Sequence, residues 1–292
     1  MRFVHMSGAG NVFLVGDAGA STGTTVWMPG FIRDVIAQHP RTDGLPIEGV
    51  ILLTSTHPTP DLAFTADFYN PDGSHGMMCG NGARCIVRFF GEQGTGNWEQ
   101  GTGNMAPGTW HVAPGTWHFT LNGVTYSAVM EGDIVTVHFP PPRTIRHYAV
   151  GELDNVDRDV WYVDVNSDHV VIDGPLDDER PIVRILSHHP AFVRGVNVNM
   201  VERIDRSHAR IATFERGVEA ITGACGTGAL SSAIALYLAG ESEPSMTIIP
   251  PSGRPLTCTI ITDDRPQTTD HRRITELLLT GDALFDSPPF EV

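Results

Sequence analysis

Two cysteine-glycine turns constrain this chain more than any other feature: Met78-Cys79-Gly80-Asn81-Gly82-Ala83-Arg84 and Ala224-Cys225-Gly226-Thr227-Gly228-Ala229. They lie about half the chain length apart and each runs into a helix-like segment, so a half-sized unit used twice explains the spacing. Elsewhere the two halves share no obvious identity. A cysteine that opens a helix sits where unpaired backbone N–H groups and the helix dipole favour negative charge, which favours its thiolate. The glycines after each sulfur let the backbone approach an anion closely. The pair therefore predicts one anionic substrate held between two thiols.

Composition narrows the chemistry. With 292 residues, 41% of them hydrophobic, the chain is long enough for one large or two medium domains, and the repeated turn favours two. A formal net charge of −15 argues against nucleic acid or an anionic membrane surface as a partner. All 19 basic residues are arginine, which removes Schiff-base chemistry on lysine and the lysine of a phosphate-binding Walker loop. No apolar run approaches the roughly twenty residues of a membrane span, and the opening Met1–Met6 lacks the apolar core of a signal peptide, so the expected location is the cytoplasm. Cys79, Cys85, Cys225 and Cys258 show neither zinc-site spacing nor a disulfide framework, so no metal is expected and the thiols are expected to be reduced.

Along the chain, Phe3 to Val15 reads as strand, glycine turn and strand, which puts Asn11 at a strand end. Residues 31–38 have helical spacing, 50–54 and 62–69 read as strands, and Ala83 to Phe90 reads as a buried helix ending at Gly91. From Gln93 to His118 the chain repeats itself at a seven-residue step, with glycine and proline too dense for a helix, so a loop or irregular hairpin is expected. Its Trp110 and Trp117 are expected to pack on the protein itself, a ligand platform being the other reading. Strand patterns follow at 127–130, 134–139, 161–165, 170–172, 196–201 and 209–215, then an apolar helix over 229–239 closed by Gly240, then strands at 245–249, 256–261 and 274–281. Each half is thus many strands around one apolar helix. Cys85 and Cys258 sit in apolar surroundings as buried small residues, whereas Cys79 and Cys225 sit in anion-binding turns.

Two acidic thiols and no cofactor suit stereoinversion at a carbon next to a carboxylate: one thiolate removes a proton from one face while the other thiol delivers one to the opposite face. Helix N-termini would stabilise the charge that builds on the carboxylate as the α-carbon becomes carbanionic.

The motifs Asn70-Pro71-Asp72-Gly73-Ser74, Cys79-Gly80-Asn81-Gly82-Ala83-Arg84-Cys85, Glu215-Arg216-Gly217-Val218 and Ala224-Cys225-Gly226-Thr227-Gly228 resemble those of the diaminopimelate epimerases. Gly8-Ala9-Gly10-Asn11 and Gly195-Val196-Asn197-Val198-Asn199 extend the resemblance over nearly the whole chain. It implies a cofactor-independent isomerase converting LL-diaminopimelate to meso-diaminopimelate in lysine and peptidoglycan synthesis, acting as a homodimer on a small amino acid substrate. The implied fold is α/β (α+β), with two pseudo-symmetric halves, each a mainly antiparallel barrel-like sheet around a central helix, and an active site in the cleft between them. The halves would span 1–130, completed by 279–292, and 131–278.

The same resemblance implies Cys79 and Cys225 as the acid/base pair, with His169 and Glu215 tuning their protonation. Gly80, Asn81, Gly226 and Thr227 would hold the α-carboxylate, and Asn11, Asn70, Asn197, Glu215 and Arg216 the distal amino acid end, where the planar Arg216 fork suits a carboxylate. Taken alone, a histidine in the Asp168-His169-Val170-Val171 context is more often a packed strand residue than a functional one. Where the family pattern has Gly-Asn-Pro-His, this chain has Asn166-Ser167-Asp168-His169, so Ser167 replaces a distal-end asparagine; Val12 and Ile221 stand at two usually acidic positions, and the acidic Ala-Asp-Gly form is absent from 44–49. These departures leave open a racemase of histidine or another amino acid, since specificity comes from polar groups that the wrong ligand leaves unpaired. Relatives acting on proline derivatives differ around the first cysteine, so Gly80-Asn81-Gly82 speaks against them. A ligand-binding or thiol-sensing relative without turnover is the remaining reading.

Overall fold

A computed structural model describes residues 1–18, 29–44, 46–55, 62–76, 78–95, 116–177, 181–263 and 273–292. The chain divides into two compact units, Met1–Val137 with Asp282–Val292, and His138–Gly281. Sequence placed the division after 130 and the return at 279.

In the first unit, β1 (Arg2–Gly8) and β2 (Asn11–Asp17) form an antiparallel hairpin. Helix α1 (Pro29–Gln38) leads to β3 (Gly49–Ser55), parallel to β2, and β4 (Phe64–Tyr69) lies antiparallel to β3. Helix α2 (Gly80–Thr95) precedes β5 (Trp117–Leu121), parallel to β4, and β6 (Val124–Glu131) pairs antiparallel with β5 before β7 (Ile134–Phe139).

The second unit repeats this order. Strand β8 (Thr144–Tyr148) pairs with β9 (Val160–Asp164), which pairs antiparallel with β10 (Asp168–Asp173). Helix α3 (Pro181–Ser187) leads to β11 (Asn197–Arg203), parallel to β10, and β12 (His208–Glu215) lies antiparallel to β11. After the short β13 (Ala220–Ile221), helix α4 (Gly226–Leu238) precedes β14 (Ser245–Ile249), parallel to β12. Strands β15 (Leu256–Thr262) and β16 (Ile274–Asp282) follow, each antiparallel to its predecessor. Last, β17 (Leu284–Phe285) and β18 (Phe290–Glu291) pair with β1. From β1 to β6 and from β9 to β15, skipping β13, the pairings alternate antiparallel, parallel, antiparallel, parallel, antiparallel.

Both central helices are enclosed by their own sheets. Helix α4 touches β9, β10, β11, β12, β14 and β15, and every residue from Gly226 to Leu236 is buried, as a helix with no polar face must be. Helix α2 touches β1, β2, β3, β4 and β6. It runs past the expected stop at Gly91 to Thr95, because Gly91 is where the ends of Trp117 and Met130 press on the helix; a Cβ there would lie 2.6 Å from the Trp117 ring. Trp117 also meets Phe90 edge to face, so it packs on the protein, while Trp110 and most of the 93–118 repeat lie outside the described residues. The repeat's first residues, Gln93 to Thr95, are helical rather than loop.

Helix α3 and strands β5, β8, β13, β17 and β18 escaped the sequence. Helix α3 carries the β-branched Ile182, Val183 and Ile185, which favour strands, but Pro181 at its first position presets a helical φ and its apolar face packs on Phe192, Val196 and Phe214. Strand β8 reads as polar because most of it is exposed.

Helix α4 ends in a complete Schellman motif: Gly240 has φ +74°, its N–H bonds Tyr237 O, and the Glu241 N–H bonds Leu236 O. A side chain at 240 would meet open space, so the left-handed backbone alone requires glycine. Gly240→Ala is expected to cost about 1 kcal/mol and lower the thermal midpoint by about 2–4 °C. Gly240→Asn, which tolerates this conformation better, should lose less. Equal midpoints for all three proteins in a thermal melt would remove this account of the helix end.

Candidate active site

Cys79 and Cys225 occupy the same place in their units, the N-cap of the helix between the fourth strand and its parallel neighbour. Cys79 O accepts the Ala83 N–H at 2.8 Å and Cys225 O the Ala229 N–H at 2.9 Å, the first intrahelical bonds of α2 and α4. Both are half-buried, whereas Cys85 and Cys258 are fully buried core residues. Each sulfur thus lies at the positive end of a helix whose first N–H groups lack intrahelical acceptors.

What surrounds the two sulfurs differs. Cys79 Sγ accepts the Gly82 N–H at 3.4 Å, a backbone bond that favours the anionic sulfur. Asn81 is buried, and its Oδ1 takes a bond from Arg84 Nη2 at 2.9 Å. Arg84 is itself fully buried and reaches Gly80 O and Asp282 O, tying the first turn of α2 to the returning C-terminal segment. The Asp282 carboxylate also accepts the Ala9 N–H at 2.7 Å, and Ala9 (φ 50°) with Gly10 (φ 93°) forms the tight turn that positions Asn11. Asn70 ends β4 and donates to Ser74 Oγ at 2.9 Å.

Cys225 Sγ lies 3.5 Å from Thr227 Oγ1, and His169 Nε2 lies 2.9 Å from the same hydroxyl. The direction of these bonds is fixed from behind. Asn199 Nδ2 donates to Val170 O at 2.9 Å and meets His169 Nδ1 at 3.1 Å, and Asn199 Oδ1 accepts the Thr213 hydroxyl at 2.9 Å. A backbone carbonyl only accepts, so Nδ2 is the donor to Nδ1, and the ring proton sits on Nε2. His169 then donates to Thr227, whose hydroxyl lies against the sulfur. His169 is completely buried, and desolvation pushes its pKa down to about 3, so this ring is neutral at physiological pH. It is both the packed strand residue and the thiol's neighbour once removed.

The remaining expected residues cluster in the second unit. Asn197 Oδ1 accepts the Arg216 N–H at 3.0 Å, and its Nδ2 donates to Ser167 Oγ at 3.3 Å and Asp168 O at 3.0 Å. Glu215 accepts the Thr222 hydroxyl at 2.6 Å, three residues before Cys225. The Arg216 guanidinium donates through Nη1 to the carbonyls of Arg194 and Gly195. Val12 is buried in the first unit, and Ile221 packs against the core of the second, so the two departures from acidic residues belong to packing.

Sequence reasoning missed four polar residues. Asn199 and Thr213 set the His169 ring; Asn199 was quoted only as part of a motif, and its inward register on β11 opposite Thr213 was the available signal. Asp168 and Arg194 form an ion pair of 2.7 Å beside Arg216 that no local pattern announces. Gly228 was assigned to anion approach, yet a Cβ there would fall 2.4 Å from Asn199 Oδ1 and 2.8 Å from Thr213 Oγ1, so this glycine makes room for the polar chain. Among the described residues no group of His, Cys, Asp and Glu could hold a metal ion, and no helix is long and apolar enough to cross a membrane.

A family model described as diaminopimelate epimerase matches residues 159–271. The diaminopimelate epimerase of Aquifex aeolicus is 31% identical over 272 residues, covering 88% of this chain and 89% of that one. That of a Hydrogenobaculum species is 32% identical over 240 residues, covering 80% and 79%. Among solved structures, a PhzF-family phenazine biosynthesis protein of Bacillus anthracis superposes with a TM-score of 0.68 at 12% identity, covering 100% of this chain and 98% of that one. A probable proline racemase of Agrobacterium radiobacter gives 0.64 at 14%, covering 100% and 92%. These two share the mixed, sheet-dominated α/β fold; the sequence relatives carry the family. The chain belongs to the diaminopimelate epimerase family and is an isomerase of the epimerase type.

Proposed function

We propose that this protein interconverts LL- and meso-diaminopimelate without a cofactor, using Cys79 and Cys225 as the two acid/base groups. The observation that carries the reading is the placement of both thiols at helix N-caps, each half-buried at the same point of a repeated topology. One cysteine, as thiolate, takes the α-proton and becomes a thiol. The electron pair left on the α-carbon spreads into the carboxylate, whose growing charge suits the N–H groups that open α2 and α4, including those of Gly80, Asn81, Gly226 and Thr227. The other cysteine gives its proton to the opposite face and becomes the thiolate, so the next turnover runs in reverse unless solvent exchanges the protons.

Neutral His169 supports this step without titrating in it. Its Nε2–H orients the Thr227 hydroxyl toward Cys225, which stabilises the thiolate form of that residue by a directed hydrogen bond. Glu215, through Thr222, braces the segment that carries Cys225. Asn11, Asn70, Ser167, Asn197 and Arg216 serve the distal end. The product would feed lysine and peptidoglycan synthesis, and the enzyme would work in the cytoplasm as a homodimer.

In deuterated water the purified protein is expected to place deuterium on the α-carbon of LL-diaminopimelate and leave L-histidine unlabelled; label in histidine alone would establish the racemase reading instead. Cys79→Ala and Cys225→Ala are each expected to lower epimerisation by at least 10³-fold with unchanged circular dichroism, a loss matching removal of an essential proton-transfer group. Full activity in either variant removes the two-base mechanism, and normal ligand binding with no turnover in the parent protein supports a sensor.

The pH dependence tests the histidine separately. Because the ring stays neutral down to about pH 3, kcat/KM should show no ionisation near 6.5 belonging to His169, and Thr227→Val should lower kcat by about 10-fold or more while shifting the acidic limb upward. A limb near 6.5 that vanishes in His169→Asn would show that the imidazole titrates.

A further inference from the structure

Asp168 is a buried carboxylate with one oxygen satisfied and one not. Its Oδ1 accepts the Tyr162 hydroxyl at 2.6 Å and Arg194 Nη2 at 2.7 Å. Its Oδ2 has Arg216 Nη1 at 3.6 Å, an ion pair beyond hydrogen-bond reach, and among the described residues no hydrogen-bond donor. The Asp168 side chain is 8% exposed, so solvent reaches this carboxylate only in part. Asp164 lies 3.5 Å from the same Arg194 nitrogen, so two carboxylates stand against two guanidiniums and the formal charges of the four side chains cancel. Asp168, Arg194 and Gly195 also line a cavity of about 290 Å³ shared with Arg146, Tyr148 and Phe192.

This cluster adjoins the residues assigned to the far end of the substrate: Asn197 binds the Asp168 backbone, and Arg216 sits against the Asp168 side chain. We infer that Asp168 is the specificity-determining residue of the distal subsite, its Oδ2 accepting a hydrogen bond from the substrate's distal ammonium group. The inference rests on the reading of the site as an amino acid epimerase. An ammonium group brings donors and a positive charge to an oxygen that has neither a donor nor full solvation. A bare distal carboxylate brings instead a second anion beside Asp168 and finds an arginine that is already partly neutralised. The subsite therefore selects amino acids with a cationic far end and rejects those with an acidic one.

Two amino acids isolate the far-end groups. L-Lysine is diaminopimelate without its distal carboxylate, and L-2-aminopimelate is diaminopimelate without its distal amino group. Isothermal titration should show the parent protein binding L-lysine at least 10-fold more tightly than L-2-aminopimelate. In Asp168→Asn, that preference should shrink by at least 10-fold, while Asp168→Glu should keep its sign. For LL-diaminopimelate, Asp168→Asn should raise KM by at least 10-fold with kcat within about 3-fold of the parent, a split that a general loss of structure would not give. Tighter binding of L-2-aminopimelate by the parent protein overturns the inference without any variant, as does an unchanged preference in Asp168→Asn. Failure of the epimerase reading appears differently, as absence of α-deuterium in LL-diaminopimelate whatever the binding preference.

Discussion

The arrangement around the second thiol depends on a single amide that cannot be turned round. Asn199 Nδ2 faces the carbonyl of Val170, which can only accept, and this fixes the next bonds in sequence: the proton to His169 Nδ1, the ring proton on Nε2, and its donation to the Thr227 hydroxyl beside Cys225. Parallel pairing of β10 with β11 sets Asn199 against that strand, and antiparallel pairing with β12 puts Thr213 opposite it. The third residue of α4 must then be glycine, or the helix could not approach the amide. Burying the imidazole for this purpose has a thermodynamic consequence. Below about pH 6.5 the unfolded chain protonates His169 while the folded chain does not until about pH 3, so the residue's contribution to stability declines progressively across that window as pH falls.

The first thiol uses the same backbone device beside apolar strand residues. By strand register, Phe13 pairs with Gly49 as His169 pairs with Asn197, so Phe13 stands where the second unit has its histidine. Ile51 correspondingly stands where it has Asn199, and a Cβ on Gly82 would strike Ile51 as one on Gly228 would strike Asn199. The third glycine of each turn thus has the same steric duty in both units, while the neighbouring strand residues are apolar in one and polar in the other. Cys79 relies on the Gly82 N–H and on a first turn braced by buried Arg84; Cys225 relies on a directed hydroxyl. Two thiols presented by one backbone device are thereby given unlike surroundings.

Most of this scaffold was legible because its signals are local. Glycine turns, helix stops and alternating strands follow from neighbouring residues, and the hairpin of β1 and β2, both cysteine helices and the Gly240 stop were readable that way. Local propensity misled where tertiary packing decided: the β-branched segment of α3 is helical because the core under Phe192 and Phe214 takes it that way, and α2 passes Gly91 because Trp117 needs the space that a side chain would fill. Polar β8 was missed because an exposed strand lacks the alternation that marks a half-buried one.

The same distinction separates the chemistry of the site from its specificity. The thiols announce themselves because the device that presents them, a cysteine followed by glycines at a helix start, is written in consecutive residues. The polar cluster around Asp168 is assembled from Tyr162 on β9, Asp168 on β10, Arg194 and Gly195 before β11, and Arg216 after β12. None of these residues constrains its sequence neighbours, so only the fold brings a buried carboxylate between two arginines. Sequence could register that Asp168 departs from the family pattern, but whether its charge is cancelled by partners or presented to a ligand is decided by distances of 2.6 to 3.6 Å to residues on three other elements. Reaction type can thus persist in short motifs while substrate choice shifts through single residues whose effects depend on the surrounding fold.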